Sequence, residues 1–233
     1  MTTLSDLRIL DLSDGLAGAY CTYLFASYGA DVIAIEPPSG HTFRHAGGLW
    51  DQLGAGKRSI TLDIRAPSGR DVVRKIVEGA NVVVETFTPG VMSTLGLSFA
   101  DLHGIKRRII LTSITPSGQG VLDGPRDDLD HQAAYLSGLN AFTATAIAAH
   151  NADAYEVPQH IDISAAECAA LAAATGPGNP EALDPGMQLF RMSEVEHDIL
   201  TAPILGEHTV SFLCEELGFD PHALPILRAA GVI

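Results

Sequence analysis

Residues 8–36 read RILDLSDGLAGAYCTYLFASYGADVIAIE. Ile9–Leu12 is a short apolar run of the kind that forms a buried strand. Gly15 and Gly18 follow it. Ala17–Tyr28 is then an apolar helix with Gly29 as its stop signal, and Val32–Ile35 is a second apolar strand that leads into Glu36. Strand, glycine-bearing turn, helix and strand outline a nucleotide-binding α/β unit. A pyrophosphate site needs Gly-x-Gly-x-x-Gly, because the glycines let the backbone approach the phosphates at a helix N-terminus. Here the turn offers only Gly15 and Gly18, spaced Gly-x-x-Gly. Glu36 stands where an acidic residue would hold a ribose, but the incomplete glycine pattern argues against a nicotinamide or flavin. Gly15 and Gly18 read as permitting a tight turn and close helix packing.

The alternation continues outward. Ser59–Ile64 is β-rich, Pro67–Gly79 is a helix with Pro in its first turn and apolar positions at Val72, Val73, Ile76 and Val77, and Val82–Val84 and Ile109–Ile114 are short buried strands. Strands spaced by helices imply parallel pairing. The predicted fold is therefore α/β, a doubly wound, mostly parallel, Rossmann-like sheet. Residues 128–150 are Ala-rich and helical in pattern, His160–Ser164 is a strand and Ala165–Thr175 a helix. Gly176–Gly186 is dense in turn formers and reads as a linker. The tail carries helices around Val210–Leu217 and Pro221–Ala230. This divides the chain into 1–175, an α/β domain; 176–200, a linker; and 201–233, a tail packing back on the core.

The 233 residues include 46% hydrophobic and 18% charged, the composition of a globular protein. The formal charge of −14 repels nucleic acid and anionic membranes. No apolar run reaches membrane-spanning length, and the first residues lack a secretory signal. Cys21, Cys168 and Cys214 have no metal-ligand or disulfide spacing and read as reduced thiols. These features predict a cytoplasmic protein with no metal.

Several segments together resemble the class III CoA-transferase family (CaiB/BaiF type), which includes formyl-CoA transferase and α-methylacyl-CoA racemase. They are Leu7–Ser13 through Ala17-Gly18, Gly29–Pro38, Gly56–Asp63, Val84–Met92 through Leu95-Gly96-Leu97, and the closing Ala202–Thr209 with Gly218–Ile233. The resemblance implies a CoA-side α/β unit and coenzyme A or an acyl-CoA as substrate. It places Arg44, Lys57 and Arg58 near the nucleotide end and Thr86 and Phe87 in a loop along the cofactor, with Ala17 and Gly18 in the first turn. Phosphates want guanidinium and ammonium partners. The residues alone favour a solvated pair at a strand start for Lys57-Arg58, and the flanking match brings the cofactor reading level with it; Lys106-Arg107-Arg108 reads as an exposed helix end.

Transferases of this family use an aspartate that attacks the thioester to form an aspartyl anhydride; the racemases pair the equivalent aspartate with a histidine. The segment that should carry it looks shortened. Asp130 through Ser137-Gly138 resembles the helix upstream of the nucleophile, and Pro158–Ser164 with Glu167 the strand and helix downstream. Leu129 stands where the racemases place histidine, and Leu16 where some transferases place glutamine. With the deletion placed upstream, Asp130 takes the nucleophile position and Asp130-His131-Gln132 starts the catalytic helix; the plainer reading of Asp130 is a helix cap. The family's small second domain is reduced to residues 176–200. Two functions follow from the resemblance: acyl-CoA:carboxylate CoA transfer or related acyl-CoA chemistry, or a catalytically inactive CoA-binding or partner subunit. It also implies a homodimer, or a heteromer with a full-length relative.

Overall fold

The computed structural model describes residues 4–45, 48–120, 131–174 and 201–233. The strands are β1 (Arg8–Asp11), β2 (Asp31–Glu36), β3 (Arg58–Thr61), β4 (Val82–Glu85), β5 (Ile110–Thr115) and β6 (Gln159–Ser164). They form one sheet in the order β3-β2-β1-β4-β5-β6, every pairing parallel. The helices are α1 (Leu16–Ser27), α2 (Leu49–Leu53), α3 (Pro67–Gly79), α4 (Val91–Thr94), α5 (Phe99–Ile105), α6 (His131–Tyr155), α7 (Ala165–Ala174), α8 (Thr209–Ser211) and α9 (Leu224–Ala229). The doubly wound α/β fold expected from the sequence is the one observed.

The period of two along each strand builds two cores. Ile9, Val32, Val82, Val84, Ile110 and Ile114 pack with α1 and α6. Leu10, Ile33, Ile35, Ile60, Val83 and Leu111 pack on the opposite face with Val72, Val73, Ile76 and Val77 of α3, Leu102 of α5, and Phe212, Leu213 and Leu224 of the tail. Both faces are covered, so the strands read as unbroken apolar runs. α1 is apolar nearly all round because it lies between the sheet and α6. Tyr20 meets Tyr135 edge-on at 4.8 Å, and Phe25 meets Phe142 at 4.7 Å. Gly138 is the point of closest approach: a Cβ there would stand 2.5 Å from the Ala17 carbonyl oxygen.

The tail closes the β3 edge. The Gly56 N–H donates to the Thr201 carbonyl (3.0 Å), the His208 N–H to the Ser59 carbonyl (3.0 Å) and the Asp63 N–H to the Val232 carbonyl (2.7 Å). The Ser59 N–H reaches His208 Nδ1 (3.3 Å), and the Thr61 N–H reaches Thr209 Oγ1 (2.9 Å). An open strand edge would otherwise invite pairing with another chain. β3 stops at Thr61, short of the expected Ile64, as the Asp63 N–H turns to the tail. Helices α2, α4 and α5 were not anticipated from the sequence. The first tail helix is a short α8 running into a π-helical turn, Phe212–Glu216, and the second is a 3-10 turn, Pro221–Ala223, leading into α9. Residues 176–200 lie outside the described residues.

Gly138→Ala tests the α1–α6 contact. Alanine favours a helix over glycine by about 1 kcal/mol, but the new methyl group meets a backbone oxygen that cannot swing away. A net destabilisation of roughly 1–3 kcal/mol is expected in urea unfolding.

Candidate functional site

The turn after β1 is organised by buried charge. Asp11 and Lys57 are 5% and 3% exposed. Lys57 Nζ donates to Asp11 Oδ2 (3.0 Å), the Ala19 carbonyl (3.0 Å) and Thr22 Oγ1 (2.7 Å). Asp11 Oδ2 also accepts from Thr22 Oγ1 (2.6 Å), and its Oδ1 accepts from the Ser13 N–H (3.0 Å) and Ser13 Oγ (2.6 Å). All three ammonium donors are used. Burial pushes the Asp11 carboxyl up, but the Lys57 charge and the Ser13, Thr22 and Lys57 hydrogen bonds together hold it below the ordinary aspartate value.

A second buried hub joins the loop after β2 to the tail. Glu36 is 1% exposed. It receives Arg44 as a fork, Nε on Oε2 and Nη2 on Oε1, both at 2.6 Å, with Ser59 Oγ on Oε1 (2.6 Å) and the His41 N–H on Oε2 (2.9 Å). Arg44 also lies over the Trp50 ring at 4.3 Å and donates to the Pro203 carbonyl (3.2 Å), which takes Trp50 Nε1 as well (3.1 Å). Arg58 sits at the N-terminal end of β3. Its Nε and Nη2 hold Asp31 at 2.8 Å each, its Nη1 pairs with Glu216, and its guanidinium lies 4.9 Å from the Phe212 ring.

A cleft near these hubs opens at the C-terminal ends of β1, β2 and β3, and Phe87 reaches it from beyond β4, across the β1–β4 junction where the chain reverses its winding order. That is where open α/β sheets hold ligands. A cavity of about 250 Å³ is lined by Leu12, Ser13 and Asp14 after β1, Ile35 of β2 with Pro37, Ser39 and His41 after it, Leu62, Ile64 and Arg65 after β3, and Phe87 after β4. Gly18 is obligatory here: a Cβ would fall 2.3 Å from Ser13 Cβ and 2.8 Å from Thr86 Cγ2. Thr86 Oγ1 accepts the Asp14 N–H (2.9 Å), tying the β1 and β4 loops together. His41 Nδ1 accepts the Phe43 N–H (3.2 Å), so its Nε2, 3.1 Å from the Ser13 carbonyl, carries the proton. This neutral tautomer agrees with a His41 value lowered by burial, against the opposing charges of Asp11 and Asp14.

Of the residues singled out in the sequence, Phe87 lines the cleft, Thr86 and Gly18 pack together beside it, and Ala17 is buried against α6. Arg44, Lys57 and Arg58 are absent from its lining; each is engaged by an internal carboxylate. Arg65, which is exposed, was not anticipated and is the basic side chain in the lining, besides the neutral His41. Asp130 lies outside the described residues, immediately before α6.

The sequence pattern of CoA-transferase family III matches residues 4–188. The chain belongs to CoA-transferase family III. Succinyl-CoA:(R)-benzylsuccinate CoA-transferase subunit BbsE of Thauera aromatica is 31% identical over 205 residues, covering 72% of this chain and 50% of that protein. Succinyl-CoA–D-citramalate CoA-transferase of Chloroflexus aurantiacus is 34% identical over 125 residues, 50% of this chain and 31% of the relative. A solved CaiB/BaiF family protein from Brucella suis superposes with a TM-score of 0.69 at 27% identity, covering 75% of this chain and 56% of the other. The family III chain thus spans half or less of the length of these curated relatives.

Removing one partner of a buried ion pair leaves the other charge uncompensated. Arg44→Ala in this family III protein strands Glu36 and loosens the tail at Pro203. A loss of roughly 3–5 kcal/mol is expected by chemical denaturation, whereas Arg65→Ala, at an exposed position, should leave stability within about 0.5 kcal/mol.

Proposed function

We propose that this family III chain binds coenzyme A thioesters in the cleft at the β1–β4 junction and takes part in transfer of CoA between carboxylic acids. The observation that carries this reading is the cleft itself, at the sheet's switch point, in a chain of this family. Its apolar walls, Leu12, Ile35, Leu62, Ile64 and Phe87, suit a pantetheine arm. Arg65 offers the positive charge that a phosphate-bearing ligand needs in a chain of net charge −14. Phe87 forms part of the wall, and Thr86 and Gly18 pack beside it. Arg44, Lys57 and Arg58 serve the site from behind: Lys57 holds the β1 turn, Arg44 holds the β2 loop, and Arg58 anchors β3.

For turnover, the reading assigns the attacking carboxylate to Asp130. The carboxylate adds to the thioester carbonyl, the C–S bond breaks, CoA leaves as thiolate and an acyl-aspartyl anhydride remains. α6 runs unbroken from His131 to Tyr155, with no loop interrupting the chain that follows Asp130 in the sequence. That feature supports a second reading, a CoA-binding partner subunit without turnover. Ile204 and Ile226, 72% and 70% exposed on the tail, support a dimer, either with a second copy or with a full-length relative. The reading places the protein in the cytoplasm; no helix among the described residues is long and apolar enough to cross a membrane.

Calorimetric titration with CoA, succinyl-CoA and formyl-CoA tests the binding, and thioester exchange followed by mass spectrometry tests the turnover. Saturable binding weakened by about tenfold in Arg65→Ala is expected, the scale of one charge-assisted hydrogen bond. Exchange lost in Asp130→Ala with binding retained supports the transferase reading. Binding without exchange in the parent protein supports the partner subunit, and no binding of any ester contradicts both.

A further inference from the structure

Another cavity, of about 290 Å³, lies at the end of the sheet opposite the cleft. Leu7, Asn81 and Arg108 stand just before β1, β4 and β5, which are neighbours in the sheet, and all three line it. Ala149 and Ala152 of α6 close it from the helix side. The space is left because α6 presents only methyl groups there. With Leu7 and Ile110 they make an apolar wall, and all four side chains are buried.

The polar side of the cavity is built from hydrogen-bond donors, and none of its lining side chains is acidic. Asn81 Oδ1 is taken by the Arg8 N–H (2.9 Å), so the donor end of its amide, Nδ2, is the end left to a ligand. Lys106 Nζ donates to the Glu78 carbonyl (3.4 Å). Arg108 Nη2 pairs with Glu156, whose side chain is 69% exposed and is no part of the lining. Glu156 stands one turn beyond Ala152. Its N–H reaches the Ala152 carbonyl (3.0 Å), and its φ of 59° lies in the left-handed region that favours glycine. Arg108 is therefore already a carboxylate receptor, served by a glutamate held in a costly backbone conformation. Lys106-Arg107-Arg108 is also the densest basic run of a chain with net charge −14, which concentrates positive charge at this end of the sheet.

We propose that this cavity binds a small organic monocarboxylate, with its apolar body against Leu7, Ile110, Ala149 and Ala152 and its carboxylate on Arg108 in the place of Glu156. A guanidinium fork matches the two oxygens of a carboxylate, and Asn81 Nδ2 is a further donor beside it. The volume stands near the lower limit of about 300 Å³ for small-molecule pockets, which restricts the body to a single ring or a short chain. An anion without an apolar body, such as inorganic phosphate, leaves the apolar wall uncovered. No bond is made or broken. The site stands whether or not the cleft takes CoA, because the two lie at opposite ends of the strands.

The test is an NMR titration of the ligand-free protein labelled in its Ala, Ile and Leu methyl groups, with benzoate and hexanoate as ligands and benzamide as the uncharged control. Saturable shifts of the Leu7, Ile110, Ala149 and Ala152 methyl signals are expected with both carboxylates. Benzamide should bind about tenfold more weakly than benzoate, and Arg108→Gln should weaken benzoate by about the same factor, the scale of one charge-assisted hydrogen bond. Glu156→Gln should tighten benzoate severalfold, because it removes the competing carboxylate. Absence of saturable shifts at these four methyl-bearing residues in the parent protein, with either carboxylate at tens of millimolar, overturns the proposal whatever the variants do. Benzamide binding as tightly as benzoate overturns it too, as does a benzoate affinity unchanged in Glu156→Gln.

Discussion

The contact between Lys57 and Asp11 is the constraint on which the rest of this fold leans. It joins residues 46 positions apart and welds the end of β1 to the chain entering β3, with α1 held between them through Ala19 and Thr22. An isolated ion of either sign in that position would cost several kcal/mol of desolvation. The cluster is tolerable because each ammonium proton has an acceptor and both carboxylate oxygens have donors. Every part of the cleft that follows β1 inherits its position from this cluster. Ser13 is fixed by Asp11, Gly18 packs on Ser13 and Thr86, and His41 donates to the Ser13 carbonyl.

The cations of this acidic chain divide by the end of the sheet they occupy. Arg8 and Arg58 stand at the N-terminal ends of their strands and share Asp31 and Glu216. They fasten the tail to the sheet. Arg65 stands beyond the C-terminal end of β3, beside the cleft, as the alternation of β-strand and loop requires. Arg44 is on the cleft's side but faces inward to Glu36, so its charge is spent on holding the loop and Pro203 in place. The tail is thereby part of the α/β unit: it covers the β3 edge and fills the second core with Phe212, Leu213 and Leu224.

Much of this was legible in the sequence. The strands were visible as apolar runs because both faces of the sheet are covered, and α1 and α3 were bounded by Gly29, Pro67 and Gly79. The short helices escaped because two turns carry little periodicity, although α5 had a readable signal: Ser98 and Asp101 form a reciprocal capping box. The site was less legible. Phe87 falls on the cleft lining and Gly18 in the packed turn beside it, placements that depend on local backbone. The carboxylate partners of the cations could not be read, because sequence order hides a partner such as Asp31, 27 residues from Arg58. A positional rule would have sorted them. Lys57 and Arg58 precede a strand, whereas Arg65 follows one, and ligands in such sheets bind beyond the strands' carboxyl ends. Asp130, proposed as the nucleophile, lies outside the described residues.

The most direct measurement of the central contact is the stability difference between the parent protein and Lys57→Met as a function of pH. In the parent, Asp11 is held below its unfolded value, so its contribution is complete above about pH 4 and is lost as pH falls through the folded value. Without Lys57, burial dominates and raises Asp11, so the variant's carboxyl is charged and uncompensated at pH 7 but protonated on mild acidification. The difference should be roughly 3–5 kcal/mol at pH 7 and should shrink steadily toward pH 5. A difference that stays constant from pH 8 to pH 5 would show that the Lys57 side chain serves only as packing, and that the buried charge pair does not hold the fold together.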